Sequence, residues 1–220
     1  MIDFLKNTVA LGSGLALGSQ VGLRLGFHLQ PHPMPHQMAA TLDHPWRMKY
    51  RNPGATLGLF GILAGMHVLD LGCGTGTFTV EMARMVGSEG VVHAVEIQRP
   101  LLERAQHRLT QAGLAERVRF HHSGAYRLPL PDASIDLAVL IATLPQIPDK
   151  ARALAELRRV LKPGGRLAVS EELPDPAYVP PPVTRRWLQD AGFHPAGQSG
   201  TWFCYSVVAF PEPAPLERTE

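Results

Sequence analysis

The stretch Val68-Leu69-Asp70-Leu71-Gly72-Cys73-Gly74-Thr75-Gly76-Thr77 constrains this chain more than any other. An apolar run of strand character ends in a turn with glycine at every second position, and the turn feeds a helical pattern. Such a turn lets backbone N–H groups approach a ligand at the start of the helix. Twenty residues past Gly76 stands Glu96, closing the next apolar run and placed to accept hydrogen bonds from ribose hydroxyls. The turn also carries Asp70, an acid that disfavours a pyrophosphate and suits a ligand bearing positive charge.

A length of 220 residues fits one sizeable domain with extra segments, since domains commonly run to about 100–200 residues. Lys+Arg 21 against Asp+Glu 19 leaves a net charge of +2, too balanced to predict a nucleic-acid partner. Cys73 and Cys204 form neither a C-x-x-C pair nor a metal spacing, and Cys73 reads as a small residue filling the turn. His28, His32 and His36 stand four apart, but the prolines of Gln30-Pro31-His32-Pro33-Met34-Pro35-His36 break the helix that a metal site would need. No metal is expected.

From Val9 to Leu29 the chain is apolar with one charge, Arg24, and Gly14, Gly18, Gly22 and Gly26 recur every fourth position. As a helix this segment reaches about 31 Å, roughly a bilayer core. A glycine face weakens a helix in water but lets helices approach in lipid. A membrane helix is therefore expected, with a surface-docked helix or a glycine-rich tail as alternatives. Arg47, Lys49 and Arg51 follow the segment, which places the main domain on the cytoplasmic side of a membrane. The predicted organisation is a hydrophobic helix over 1–30, a Pro/His-rich linker and lid over 31–52, the main domain over 53–210, and a flexible tail over 211–220.

Asn52-Pro53 predicts a capped helix over 53–62. Strands are predicted at His67 to Leu71, Val91 to Glu96, Arg117 to His121, Ile135 to Ile141 and Arg166 to Ser170. Helices alternate with them: Thr77 to Val86, one opened by Pro100 and ended by Gly113, one capped by Asp149, and Thr184 to Ala191. Residues 193–210 read as an antiparallel pair. The pattern predicts a Rossmann-like α/β fold, a seven-stranded mainly parallel sheet with an antiparallel final strand and helices on both faces.

Residues 62–170 resemble class I methyltransferases dependent on S-adenosyl-L-methionine, of the ubiquinone/menaquinone C-methyltransferase type. The resemblance is carried by VLDLGCGTG at 68–76, Glu96 in VVHAVE, LPLPDASIDLAVL at 128–140 and LRRVLKPGGRLAV at 157–169. It implies that Asp70, Gly72, Cys73, Gly74 and Gly76 hold the methionine part of the cofactor. Glu96 would bind the ribose and Ile97 would lie beside the adenine, with Gly124 and Ala125 at the adenine amine. The family often has Asp where this chain has Gly124, so Ser123 or a backbone amide would make that contact. The loop Ala142-Thr143-Leu144-Pro145-Gln146 would lie beneath the transferred methyl group.

Methyl transfer is an in-line displacement that depends mostly on positioning. A base is needed only if the acceptor loses a proton, and the candidates are Glu171, Glu172, His121, His122 and His44. The expected acceptor is a small molecule or lipid, hydrophobic or quinone-like; Trp46, Tyr50, Arg47, Lys49 and Arg51 read either as an amphipathic lid over the cofactor or a topology signal, or as the residues that meet the acceptor near a membrane surface. An NAD(P)-dependent oxidoreductase is one alternative, opposed by Thr77 at the third glycine's place. A membrane-tethered binding protein without turnover is the other.

Overall fold

Short, nearly continuous apolar runs make the strands, because a sheet covered on both faces has no polar side. The structure is a computed structural model in which residues 21–212 are described. Its strands are β1 His67–Leu71, β2 Val91–Glu96, β3 Val118–His122, β4 Ile135–Ile141, β5 Leu161–Glu172, β6 Phe193–Gly200 and β7 Cys204–Pro211. They form one seven-stranded sheet in the order β3-β2-β1-β4-β5-β7-β6. Neighbours from β3 to β5 pair in parallel, and β7 is antiparallel to both β5 and β6. The expected fold class is the one observed.

The helices are α1 over 21–29, α2 Pro45–Tyr50, α3 Pro53–Gly58, α4 Thr77–Met85, α5 Arg99–Gln111, α6 Lys150–Val160 and α7 Pro181–Asp190. Side chains of α3, α4 and α5, among them Leu57, Phe78, Met82, Leu102 and Leu109, pack on Val68, Val92 and Leu137. On the other face Leu154, Leu157 and Leu188 of α6 and α7 pack on Leu69, Leu140 and Leu167. Each such fully buried side chain contributes about 1.5–3 kcal/mol.

Several boundaries move for local reasons. The helix expected over 53–62 stops at Gly58, and Gly61 takes a positive φ of 67° that helix cannot continue. Asn52 caps it as expected, accepting from Ala55 N at 2.9 Å. The strand after the Lys162–Gly165 turn begins earlier, because Leu161 already pairs with Ile135 before a register shift. Helix α7 starts at Pro181, not Thr184, since prolines fit a first turn whose N–H groups have no partner.

The membrane helix expected over 9–29 falls only in part within the described residues. Among the described residues no helix is long and apolar enough to cross a membrane. Residues 9–20 of the expected span lie outside the described residues. The remainder, α1, docks on the domain: Phe27 is buried against His32, and the Arg24 guanidinium donates to the Leu173 carbonyl. Arg47 and Arg51 are also not the surface bases that the positive-inside reading took them for. Both are buried, and Arg51 is 0% exposed. Arg51 donates to the Ser170 carbonyl at 2.9 Å, the Glu171 carbonyl at 3.2 Å and Cys204 Sγ at 2.9 Å, closing the end of β5.

Replacing Arg51 by Met removes one buried donor from each of those carbonyls and leaves Glu172 with one cation fewer. The expected loss is about 3–5 kcal/mol, read as a fall in the denaturant midpoint. An unfolding free energy within about 0.5 kcal/mol of wild type, the spread typical of surface changes, would contradict this account of Arg51.

Candidate functional site

Strand order reverses direction between β1 and β4, and in open α/β sheets ligands bind beyond the carboxyl ends of the strands at that point. A cavity of about 310 Å³ lies there. Gly72, Gly74, Glu96, Ile97, Gly124, Ala125 and Ala142 line it, so the structure brings together seven of the ten residues singled out for the cofactor. Asp70 and Cys73 instead line a smaller annex of about 40 Å³ behind the turn, which shares Gly72 and Gly74 with the main cavity. Gly76 lines neither.

The turn's glycines serve sterics more than donation. Gly72 N and Cys73 N donate to the Val95 carbonyl at 2.8 and 3.1 Å, and Gly74 N donates to Glu96 Oε2 at 3.0 Å. These N–H groups tie the turn to β2 and are not free to cradle a phosphate, which corrects the expectation that they face the ligand. Gly72 has a φ of 79°, and a Cβ there would stand 2.6 Å from Thr143 Oγ1. Gly76, with a φ of 81°, starts α4; a Cβ there would sit 3.0 Å from the backbone of Ala105. Only glycine permits both approaches.

Two carboxyls flank the turn. Asp70 is buried and accepts from Thr79 Oγ1 at 2.6 Å. Burial pushes its pKa up to about 7, Thr79 opposes the rise, and Glu96 adds to it. Glu96 accepts from Gln98 N at 2.9 Å and from Gly74 N; burial raises its pKa and these N–H groups oppose the rise. Neither forms an ion pair among the described residues. The burial of Cys73 raises its thiol pKa, which keeps it an unreactive filler.

The far end of the cavity is built by the loop after β4 and the end of β5. Ala142 takes a positive φ of 50°, uncommon for a residue with a Cβ, and its N–H donates to the Ser170 carbonyl at 2.8 Å. Glu172 lines the cavity and is gripped by Arg47, whose Nε and Nη2 lie 2.8 and 2.7 Å from Oε1. Arg51 Nε is 3.8 Å from the other oxygen. Glu171 is fully buried on the opposite face of β5, with neither carboxyl oxygen hydrogen-bonded, and burial holds its pKa well above the usual carboxylate range.

Of the expected base candidates, only Glu172 therefore reaches the cavity. His121 lies against His93, Nε2 to Nδ1 at 3.1 Å, and burial lowers the pKa of both. His122 Nε2 sits 2.9 Å from the Ile97 carbonyl, and His44 caps α2 by accepting from Trp46 N at 3.2 Å. None of these histidines lines the cavity.

A strap that precedes α2 roofs the site. Pro33, Met34 and Leu42 line the cavity. Met34 N donates to Gln146 Oε1 at 2.9 Å, and Met34 O accepts from Gln98 Nε2 at 2.8 Å. Asp43 anchors the strap's far end to Thr75 Oγ1 at 3.1 Å, to Thr77 and to Arg108. Asp175 and Gln98 were given no role by sequence reasoning, Gln146 only as part of the loop expected beneath the methyl group, and Met34 only as part of the linker and lid. The one available signal was the acid run Glu171-Glu172 followed by Asp175 directly after a strand end.

A family model described as Methyltransferase domain matches residues 62–184. The chain is 39% identical over 127 residues to a demethylmenaquinone methyltransferase of Lactiplantibacillus plantarum, covering 57% of this chain and 54% of that one. It is 41% identical over 116 residues to a ubiquinone/menaquinone biosynthesis C-methyltransferase of a Marinomonas species, covering 53% and 46%. The chain thus spans about half the length of the curated relatives it matches. Among solved structures, a SAM dependent methyltransferase from Aquifex aeolicus superposes with a TM-score of 0.75 at 28% identity, covering 80% of this chain and 98% of that one.

Gly72→Ala brings a steric clash with Thr143 and an unfavourable φ together, so the expected cost is about 3 kcal/mol or more, the range of named local strains combined. Adding Thr143→Ala removes much of the clash and leaves mainly the backbone cost of about 1–2 kcal/mol. A double-mutant cycle by chemical denaturation checks this; strictly additive losses would show that the two residues do not press on each other.

Proposed function

The chain belongs to the methyltransferase-domain family, and from that premise we propose that it transfers a methyl group from S-adenosyl-L-methionine to a small acceptor of lipid or quinone-like character. The observation that carries this reading is the pair Asp70 and Glu96, two buried carboxyls that form no ion pair among the described residues, beside a turn whose Gly72, Cys73 and Gly74 N–H groups are already spent. Such a site suits a cationic nucleoside and suits a pyrophosphate poorly. The same observation counts against the oxidoreductase alternative.

In this reading Glu96 takes the ribose hydroxyls, and Asp70 with Gly72, Cys73 and Gly74 surrounds the methionine part. Gly76 acts indirectly, by letting α4 and α5 close behind the turn. Ile97, Ser123, Gly124 and Ala125 form the adenine end, and the Ala142–Thr143 loop lies under the reacting centre. When bound, the methyl donor supplies an electrophilic methyl group; the chain supplies alignment and exclusion of water. The strap over the cavity provides that exclusion.

A water-insoluble acceptor is supported by the exposed apolar side of α1, with Val21, Leu25 and Leu29, and by the exposed Trp46 and Trp202. It is supported too by the relatives named as a demethylmenaquinone methyltransferase and a ubiquinone/menaquinone biosynthesis C-methyltransferase. Membrane association in this reading is peripheral and runs through these surfaces. Incubating the full chain with labelled donor and a membrane extract is expected to place label in the organic phase; label confined to water-soluble products would count against a lipid or quinone-like acceptor.

The donor should raise the melting temperature, and its affinity should depend on pH with a definite sign. Asp70 is half protonated near pH 7 in the free protein, and a cation at the site favours the ionised form. Affinity is therefore full above pH 7 and falls below it, by up to about tenfold per pH unit. Calorimetry between pH 8 and 5.5 checks this, and Asp70→Asn should bind weakly with a flat profile. Thermal stabilisation by NAD, with none from the donor or its demethylated product, would overturn the reading.

A further inference from the structure

Three carboxyls stand at the end of β5 and just beyond, and their surroundings differ. Glu171 is sealed beneath the sheet's other face and lacks any hydrogen bond. Glu172 faces the cavity, but Arg47 holds it in a short ion pair. Asp175 also faces the cavity and has only uncharged partners. Ala177 N donates to its Oδ1 at 2.7 Å, and Gln146 Nε2 donates to its Oδ2 at 3.2 Å. Among the described residues it forms no ion pair.

The surrounding wall is apolar: Pro33, Met34, Tyr126, Ile147 and Pro148 line the same cavity. A carboxylate with spare lone pairs among such residues favours a flat apolar ligand that presents a hydroxyl donor. It disfavours a ligand carrying a carboxylate or phosphate, because like charges in a low dielectric repel strongly.

Resting on the reading of the site as a methyltransferase centre, we infer that Asp175 selects an acceptor whose aromatic ring carries a hydroxyl, and takes that hydroxyl's proton. In that step the acceptor O–H bond breaks, its electron pair stays on the acceptor oxygen, and an O–H bond forms on the Asp175 carboxyl. The resulting phenolate is the nucleophile, through oxygen or through the ring carbon next to it. Gln146 is a positioning residue, since its amide fixes the Asp175 carboxyl.

The groups facing Asp175 are consistent with this role. Glu172 approaches from β5 and Arg47 from α2, Gln146, uncharged, from the loop after β4, and Glu171, though on the other face of β5, is near enough to act through its charge. Burial first, and Glu172 next among the raising causes, lift the Asp175 pKa above its ordinary value; the Ala177 N–H, Gln146 and Arg47 oppose the lift. A base lifted in this way is better matched to a phenol than an ordinary aspartate is.

The test uses hydroquinone and benzoate as binding probes on the full chain, with the methyl donor's demethylated product present. Wild type should bind hydroquinone in preference to benzoate, and the preference should shrink as pH falls through the Asp175 pKa. Asp175→Asn, which keeps an acceptor for Ala177 N, should weaken hydroquinone binding about tenfold or more, the loss typical of a charged hydrogen bond. It should also strengthen benzoate binding and remove the pH dependence of the preference.

If that variant does not fold, the wild-type pH dependence and Gln146→Ala, which should reduce the preference, decide the matter. Donor-induced thermal stabilisation in each protein separates the two levels. Stabilisation without any hydroquinone preference overturns the role of Asp175 alone. Absent stabilisation in wild type overturns the methyltransferase reading beneath it.

Discussion

The ion pair between Arg47 and Glu172 joins two parts of the chain 125 residues apart, and the cavity takes its shape from that junction. Without it α2 has no fixed seat on the end of β5, and the strap leading into α2 has no far wall to close against. A buried pair of this kind gains little over apolar residues of equal shape, because desolvation offsets the attraction. Its weight lies in where it puts the chain. Arg51, one turn later, reaches the Ser170 and Glu171 carbonyls and closes the same corner from behind.

Charge is distributed unevenly along the cavity. Asp70 and Glu96 mark one end and Asp175 the other, and the one arginine on the wall is neutralised by Glu172. The site as a whole is short of positive charge. A cationic molecule at the glycine end and a neutral one at the Asp175 end would relieve that shortage without adding a repulsion.

The parts that were legible in the sequence are those set by neighbours in the chain. Alternation of apolar runs with amphipathic segments marked the strands, and β2 and β4 fall at the residues expected. Caps at Asn52 and Asp149 also act as their types suggest. The misreadings share one cause, namely partners far away in sequence. Arg47 and Arg51 look like surface bases until β5 brings Glu172 and the Ser170 and Glu171 carbonyls to them. Glu171 looks like a loop carboxylate until β7 extends the sheet past it, pairing Tyr205 opposite. The turn at Gly72 to Gly76 looks like a ligand cradle, yet its donors face the end of β2.

Gln146 uses one amide at both ends: its oxygen receives Met34 of the strap, and its nitrogen reaches Asp175 and the Ala142 carbonyl. The two clasps on Met34, from Gln146 and Gln98, are neutral hydrogen bonds, with a net contribution of about 1 kcal/mol each. Because the roof and the floor share this side chain, a single rotamer of Gln146 sets both the seat of Met34 and the orientation of the Asp175 carboxyl, so a substitution there alters both at once.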